Sequence, residues 1–85
     1  DVSNEGGIIV YPNPSRGFAT VAIPQTFGTS IQIVVTELAS GKLIKNITTT
    51  AGQQELDFSG FANGVYIINV ISEQKSSVHR LILAQ

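Results

Sequence analysis

The chain has no cysteine, no methionine and no tryptophan, a single histidine and few charges. Without cysteine there is neither a disulfide nor a thiol nucleophile, and the compartment stays open because many exported domains also lack it. One histidine excludes a two-histidine metal site. Five basic side chains against six acidic ones, a net charge of −1, provide no basic stripe to neutralise phosphates, so nucleic acid is not an expected partner. No apolar run approaches the roughly 18 residues that a membrane-spanning helix needs. The opening DVSNEGG is acidic and polar where a secretory signal peptide is basic and then apolar. If the chain is exported, its targeting segment is expected upstream.

What is present points to strands. Eighty-five residues suffice for one small domain, which buries roughly 60–65% of its unfolded surface. Nineteen isoleucines and valines stand against five leucines, and seven threonines bring the β-branched share to nearly a third. Such side chains are stiff at χ1 and pack well on a pleated surface. After a polar, glycine-ended stretch over residues 1–7, seven strand-like runs follow: Ile8–Tyr11, Gly17–Ile23, Ser30–Leu38, Lys42–Thr48, Gln54–Phe58, Gly64–Ser72 and Ser76–Ala84. Ile31, Ile33 and Val35 share one face of the third run. The sixth is apolar on both faces and is expected at the centre of a sheet or at a contact site. Short strands with turn signals every 8–12 residues or so predict an all-β, seven-stranded antiparallel immunoglobulin-like β-sandwich. No stretch holds a period of 3.6, so helix content is expected near zero.

Two connections read as hairpins. In LASGK, Gly41 supplies the positive φ of a short bulged turn, and Ser72–Lys75 folds the sixth run against the seventh. Between the first two runs, Pro12 and Pro14 lack amide hydrogens and fix φ, so this segment cannot be a central ladder strand. Each proline pushes the residue before it, Tyr11 and Asn13, towards extended geometry. Asn13 can close a turn on its own backbone. The reading is a rigid corner that ends an edge strand.

Site chemistry is sparse. Ser76, Ser77 and His79 invite a nucleophile reading, but no orienting acid or oxyanion hole accompanies them; His79 is expected as a partly buried or rim residue. Glu55 and Asp57 would lie about 7 Å apart on one strand face, without the aspartate run of a calcium loop, and read as a solvated face. GFANG has no following helix to cradle phosphate and reads as a turn. Asn46–Thr48 is a formal glycosylation sequon of low specificity. No catalytic residue, cofactor or metal is expected, and enzyme is the weakest class.

Three landmarks carry a resemblance when taken in order: YPNPSRG (Tyr11–Gly17), TELASGKLIKN (Thr36–Asn46) and the ending from Leu56 to Gln85. Together they resemble the C-terminal sorting domain of the type IX secretion system, type A, found in Bacteroidota. Pro12, Asn13 and Pro14, then Gly41 and Lys42, then Gly64, Val65 and Tyr66, and finally Arg80, Leu81, Ile82 and Leu83 occupy the places of that family's motifs, over about residues 8–85. Two departures stand out. Glu37 replaces a more usual Asp or Asn before the hairpin glycine, and Lys75, His79 and Arg80 share the role of a lysine-richer ending.

The resemblance implies residues 1–7 as a linker from an upstream cargo and 8–85 as the sorting domain. It implies recognition by an outer-membrane translocon, with Pro12, Asn13, Pro14, Gly41, Lys42, Gly64, Tyr66, Lys75, Arg80, Leu81, Ile82 and Leu83 as candidate contacts. It also implies removal by a cell-surface signal peptidase, passage through the periplasm and arrival at the cell surface or outside. An exposed final strand could pair by β-addition with a receptor or with a second copy as an edge-strand dimer. Two other readings stay open: an immunoglobulin-like or fibronectin-like adhesion or carbohydrate-binding module, favoured if Phe27 and Phe61 lie exposed side by side, and a spacer domain inside a longer protein.

Overall fold

A computed structural model describes residues 3–5, 7–12, 15–50 and 52–85. Within them run eight strands: β1 (Ser3–Glu5), β2 (Ile8–Tyr11), β3 (Phe18–Ile23), β4 (Ile31–Glu37), β5 (Leu43–Thr49), β6 (Gly52–Asp57), β7 (Gly64–Ser72) and β8 (Ser76–Leu83). They form two four-stranded antiparallel sheets, ordered β1-β2-β3-β6 and β5-β4-β7-β8. All seven expected runs are strands.

Alternation decides which side chains fill the space between the sheets. On the inner face Ile33 of β4, Val70 of β7 and Ser77 of β8 share one cross-strand row, Val35, Ile68 and His79 the next, and Tyr66 pairs with Leu81, while Ile31 pairs with Ser72. Ile8 and Val10 of β2, Ala19, Val21 and Ile23 of β3, and Leu56 of β6 face them from the other layer in one buried cluster. The both-sided apolar character of β7 has the reason its sequence suggests, since β7 lies inside its sheet between β4 and β8.

Tyr66 fixes the corner where the chain enters β7. Its hydroxyl donates to the Ala62 carbonyl at 2.6 Å while the ring stacks at a tilt on Phe58, 5.5 Å between centroids. A tyrosine near a strand start, bonded to backbone a few residues upstream, is the tyrosine corner of immunoglobulin-like sandwiches. Burial, with help from the nearby Glu37, pushes the Tyr66 pKa up, so the hydroxyl stays a donor. The β4–β5 hairpin closes as expected, with Gly41 at φ 72° and a register shift at Val35/Thr36. Gly41 N–H donates to Glu37 O at 2.8 Å.

The structure departs from the sequence reading in several places. Ser3–Glu5, inside the expected linker, pairs with β2 as a short strand, so β2 is internal rather than an edge. Pro12 does not obstruct this because it follows Tyr11, the last paired residue; the Tyr11–Pro12 peptide bond is cis. Asn13 and Pro14, and the turn assigned to Asn13, lie outside the described residues. Residues Gln25–Phe27 make one turn of 3-10 helix that swings the Phe27 ring into the core. His79 is fully buried rather than at the rim, and its Nε2 lies 2.7 Å from the equally buried Ser77 Oγ. That local partner lets a polar ring occupy an inner row.

Candidate recognition surface

Strand register sorts the motif residues between the two ends of the sandwich. The row Glu37, Tyr66, Leu81 and the pair Gly64, Leu83 place the β4–β5 turn, the start of β7 and the end of β8 together. Ser15 brings the corner between β2 and β3 to the same end. It forms a parallel bridge to Leu83, its N–H donating to Ile82 O at 2.7 Å while its carbonyl accepts Ala84 N–H at 2.8 Å. Pro12, Gly41, Lys42 and Gly64, all exposed, thus lie at the end of the sandwich where β8 finishes.

This end is held by a clamp built from residues of the first and last landmarks that are not among the expected contacts. Ser15 Oγ donates to Phe18 O and accepts Gly17 N–H at 3.3 Å, fixing the corner from inside. Gln85 is tied three ways. Its N–H donates to Asn63 Oδ1 at 2.9 Å, and its Nε2 donates to Phe61 O at 2.8 Å and Phe58 O at 3.4 Å. Phe58 and Phe61 meet edge to face at 5.9 Å, and Lys45 Nζ sits 5.4 Å from the Phe61 ring centroid. Segment Ile82–Gln85 is therefore wedged between the Ser15 corner and the Phe58–Asn63 loop.

The remaining proposed contacts divide by burial and place. Tyr66, Leu81 and Leu83 are buried in the core, so a partner of the folded domain meets them only through the surface they support. Arg80 and Ile82 project from the outer face of β8, on the side away from the core. Lys75 lies in the β7–β8 turn, at the opposite end of the sandwich. The structure thus separates Lys75 from Lys42, Gly64 and Ile82. Phe27 is buried and Phe61 is half-buried, so the aromatic platform that would favour an adhesion module does not form from this pair.

At the opposite end Glu73 latches two loops. Its carboxylate accepts Thr29 Oγ1 at 2.8 Å and the backbone N–H groups of Thr29 and Ser30 at 3.2 and 3.4 Å. Beside it Ser72 Oγ donates to Phe27 O at 2.7 Å. The latch needs Gly28, at φ 148°, because a Cβ there would lie 2.5 Å from Ser72 Cβ. The Thr29 hydroxyl bond, with the backbone donors, holds Glu73 below its ordinary pKa of 4.5. A folded-state value below the unfolded one contributes stability above pH 4.5 that is lost as pH falls through the folded value. The melting temperature of Glu73→Gln should therefore lie below that of the parent at pH 7, with the gap closing as the pH falls below 4.5. Thermal melts across that range check it, and a gap constant with pH would show that the charge is not what holds the loops. Asp57, which accepts Ser59 N–H at 2.9 Å, is lowered in the same sense and for that reason first.

Two layers of antiparallel strands with a tyrosine corner and a clamped end define a small immunoglobulin-like β-sandwich domain. A DUF3244 family protein with an immunoglobulin-like β-sandwich fold from Bacteroides vulgatus ATCC 8482 superposes with a TM-score of 0.68 over 94% of this chain and 90% of that one, at 11% sequence identity. Residues 9–84 match the family of the secretion system C-terminal sorting domain, and the chain belongs to that family. It is the C-terminal signal of a type IX secretion cargo, and such a signal implies export to the cell surface or extracellular space. Beta-agarase A of Zobellia galactanivorans is 32% identical over 62 residues, which are 72% of this chain and 11% of the agarase. The chain thus spans about a ninth of that relative's length.

Proposed function

We propose that the type IX outer-membrane translocon reads this domain in its folded state, at the end that gathers Pro12, Gly41, Lys42, Gly64 and the clamped segment Ile82–Gln85. The observation that carries this reading is that the Ser15 bridge brings the first landmark to the end of β8, where the β4–β7–β8 register already places the Gly41–Lys42 turn. Tyr66, Leu81 and Leu83 hold that surface from beneath, and Arg80 flanks it on the outer face of β8. The cargo precedes the domain, enters the periplasm by its own leader and folds there. A cell-surface signal peptidase then cuts within residues 1–7. Strand β1 is three residues long and is paired on one side only, by β2, which favours local opening there to expose backbone to a protease.

The two lysines test the surface. In a reporter fusion, Lys42→Glu at the gathered end should lower export several-fold, whereas Lys75→Glu at the far end should leave it near the parent level. Both side chains are exposed, so neither change unfolds the domain. Equal loss from both, or loss from Lys75→Glu alone, would place recognition elsewhere.

A further inference from the structure

One buried hydroxyl lies outside the core. Ala19 and Val21 of β3 are buried between the sheets, so Thr20 between them points the other way, to the outer face of β1-β2-β3-β6. It is nevertheless only 5% exposed, with Tyr11 beside it on β2 and Glu55 beside it on β6. Its hydroxyl makes no hydrogen bond to any of the described residues. Every fully enclosed side-chain polar atom among those residues has a partner, so this hydroxyl still opens outward. An unpaired polar group at such burial calls for a reason.

The surroundings of Thr20 describe what would satisfy it. Two exposed rings border it, Tyr11 directly opposite and Phe18 two residues earlier on β3, 42% and 56% exposed. Two exposed carboxylates complete the border, Glu55 opposite Thr20 and Asp57 opposite Phe18. Strand spacing sets Tyr11 and Glu55 about 10 Å apart across Thr20, room for one planar group between ring and carboxylate. Asp57 already accepts Ser59 N–H, whereas the Glu55 carboxylate meets no donor among the described residues. The chain's own cations do not fill the place. Lys45 sits over the Phe61 ring, and Arg16, in the corner before β3, makes no ring contact or ion pair among the described residues.

We infer that this face docks a polypeptide segment presenting an arginine, whose guanidinium lies over Thr20 between the Tyr11 and Phe18 rings and the Glu55 carboxylate. A guanidinium matches each part of the border. It is planar and stacks on aromatic faces, it pairs bidentately with a carboxylate, and it carries only donors, for which the threonine hydroxyl is an acceptor. Its charge complements the two carboxylates. Along the same face the half-buried Ile9 and Ala22 continue as an apolar strip, which suits the aliphatic parts of a chain and offers nothing to a free cation. One anchor at an exposed face makes the docking weak and salt-dependent. The inference does not rest on the export reading.

An NMR titration of the nitrogen-labelled 85-residue chain tests it, with a capped glycine peptide carrying one central arginine as the probe. Shifts should concentrate on the amides of Tyr11, Thr20 and Glu55. Glu55→Gln and Phe18→Ala, both at exposed positions that the fold tolerates, should each weaken binding several-fold. Thr20→Val should weaken it as well without lowering the melting temperature, because it removes an unpaired hydroxyl. Free arginine and the lysine peptide should bind more weakly, and the citrulline peptide, which lacks the charge, should not bind. Absence of shifts, shifts spread equally to Glu37 and Glu73, or variants that bind as the parent does would overturn the inference. So would a citrulline peptide or free arginine that binds as tightly as the arginine peptide, or a neutral oligosaccharide that binds this face where the peptide does not. None of these results bears on export, which the reporter fusion reads separately.

Discussion

Truncation of Ile68 to alanine is expected to lower stability by about 2–5 kcal/mol. Ile68 sits mid-strand in β7, fully buried on the row Val35, Ile68, His79, with a strand bonded on each side. Its neighbours cannot collapse into the space, because β4 and β8 fix their backbone on both flanks. A domain of this size has roughly 4–13 kcal/mol in total at 0.05–0.15 kcal/mol per residue, so the loss takes a large fraction. At about 4–8 °C per kcal/mol for a small domain, the melting temperature should fall by about 8 °C or more. Val78→Ala on the outer face of the adjacent strand, more than half exposed, should change stability by about 0.5 kcal/mol or less. Thermal melts of the two variants check the contrast, and equal small shifts would mean that the inner rows are not the core described here.

Removal of Leu83–Gln85 is expected to abolish export and to loosen one end of the sandwich. The deletion takes a fully buried leucine, the Ala84 bond to Ser15 and the three bonds of Gln85. Loss of the leucine alone costs about 2–5 kcal/mol, and each hydrogen bond adds about 0.5–1.5 kcal/mol. A milder variant separates recognition from folding. Gln85→Ala removes only the two side-chain bonds to Phe58 and Phe61 carbonyls, and should keep the fold while lowering export by less than the deletion does. Export by the deleted chain at the parent level would contradict the assignment of this end as the recognition surface.

Much of the architecture is legible in the sequence because strand periodicity is a local signal. The alternation of IQIVV in β4 and the two-sided apolarity of GVYIINVIS in β7 reflect positions within a sheet, and Gly41 marks a turn that only a positive φ completes. The elements missed have no such pattern. Ser3–Glu5 is short and polar, and becomes a strand only because β2 offers it a ladder. The 3-10 turn at Gln25–Phe27 is too short to show a period, yet it decides that Phe27 is core. His79 reads as a rim residue until Ser77 is seen to satisfy it.

The surface follows the same division. Pro12, Gly41, Lys42 and Gly64 are visible as motifs, but their meeting depends on register and on the bridge from Ser15 to Leu83, contacts between residues nearly seventy positions apart. Lys75 belongs to the same list by motif and to the far end by geometry. Gln85 and Asn63, which lock the end, carry no signal beyond side-chain amides next to a strand terminus.

The central claim is that this domain is sufficient to direct export. Its most direct test fuses residues 1–85 behind a signal-peptide-bearing fluorescent reporter in a Bacteroidota host, with and without a working type IX translocon. The account predicts reporter at the surface or in the medium only when the translocon works, shortened by about the 9.0 kDa of the domain. Reporter held in the periplasm of both strains, or released equally from both, would contradict it.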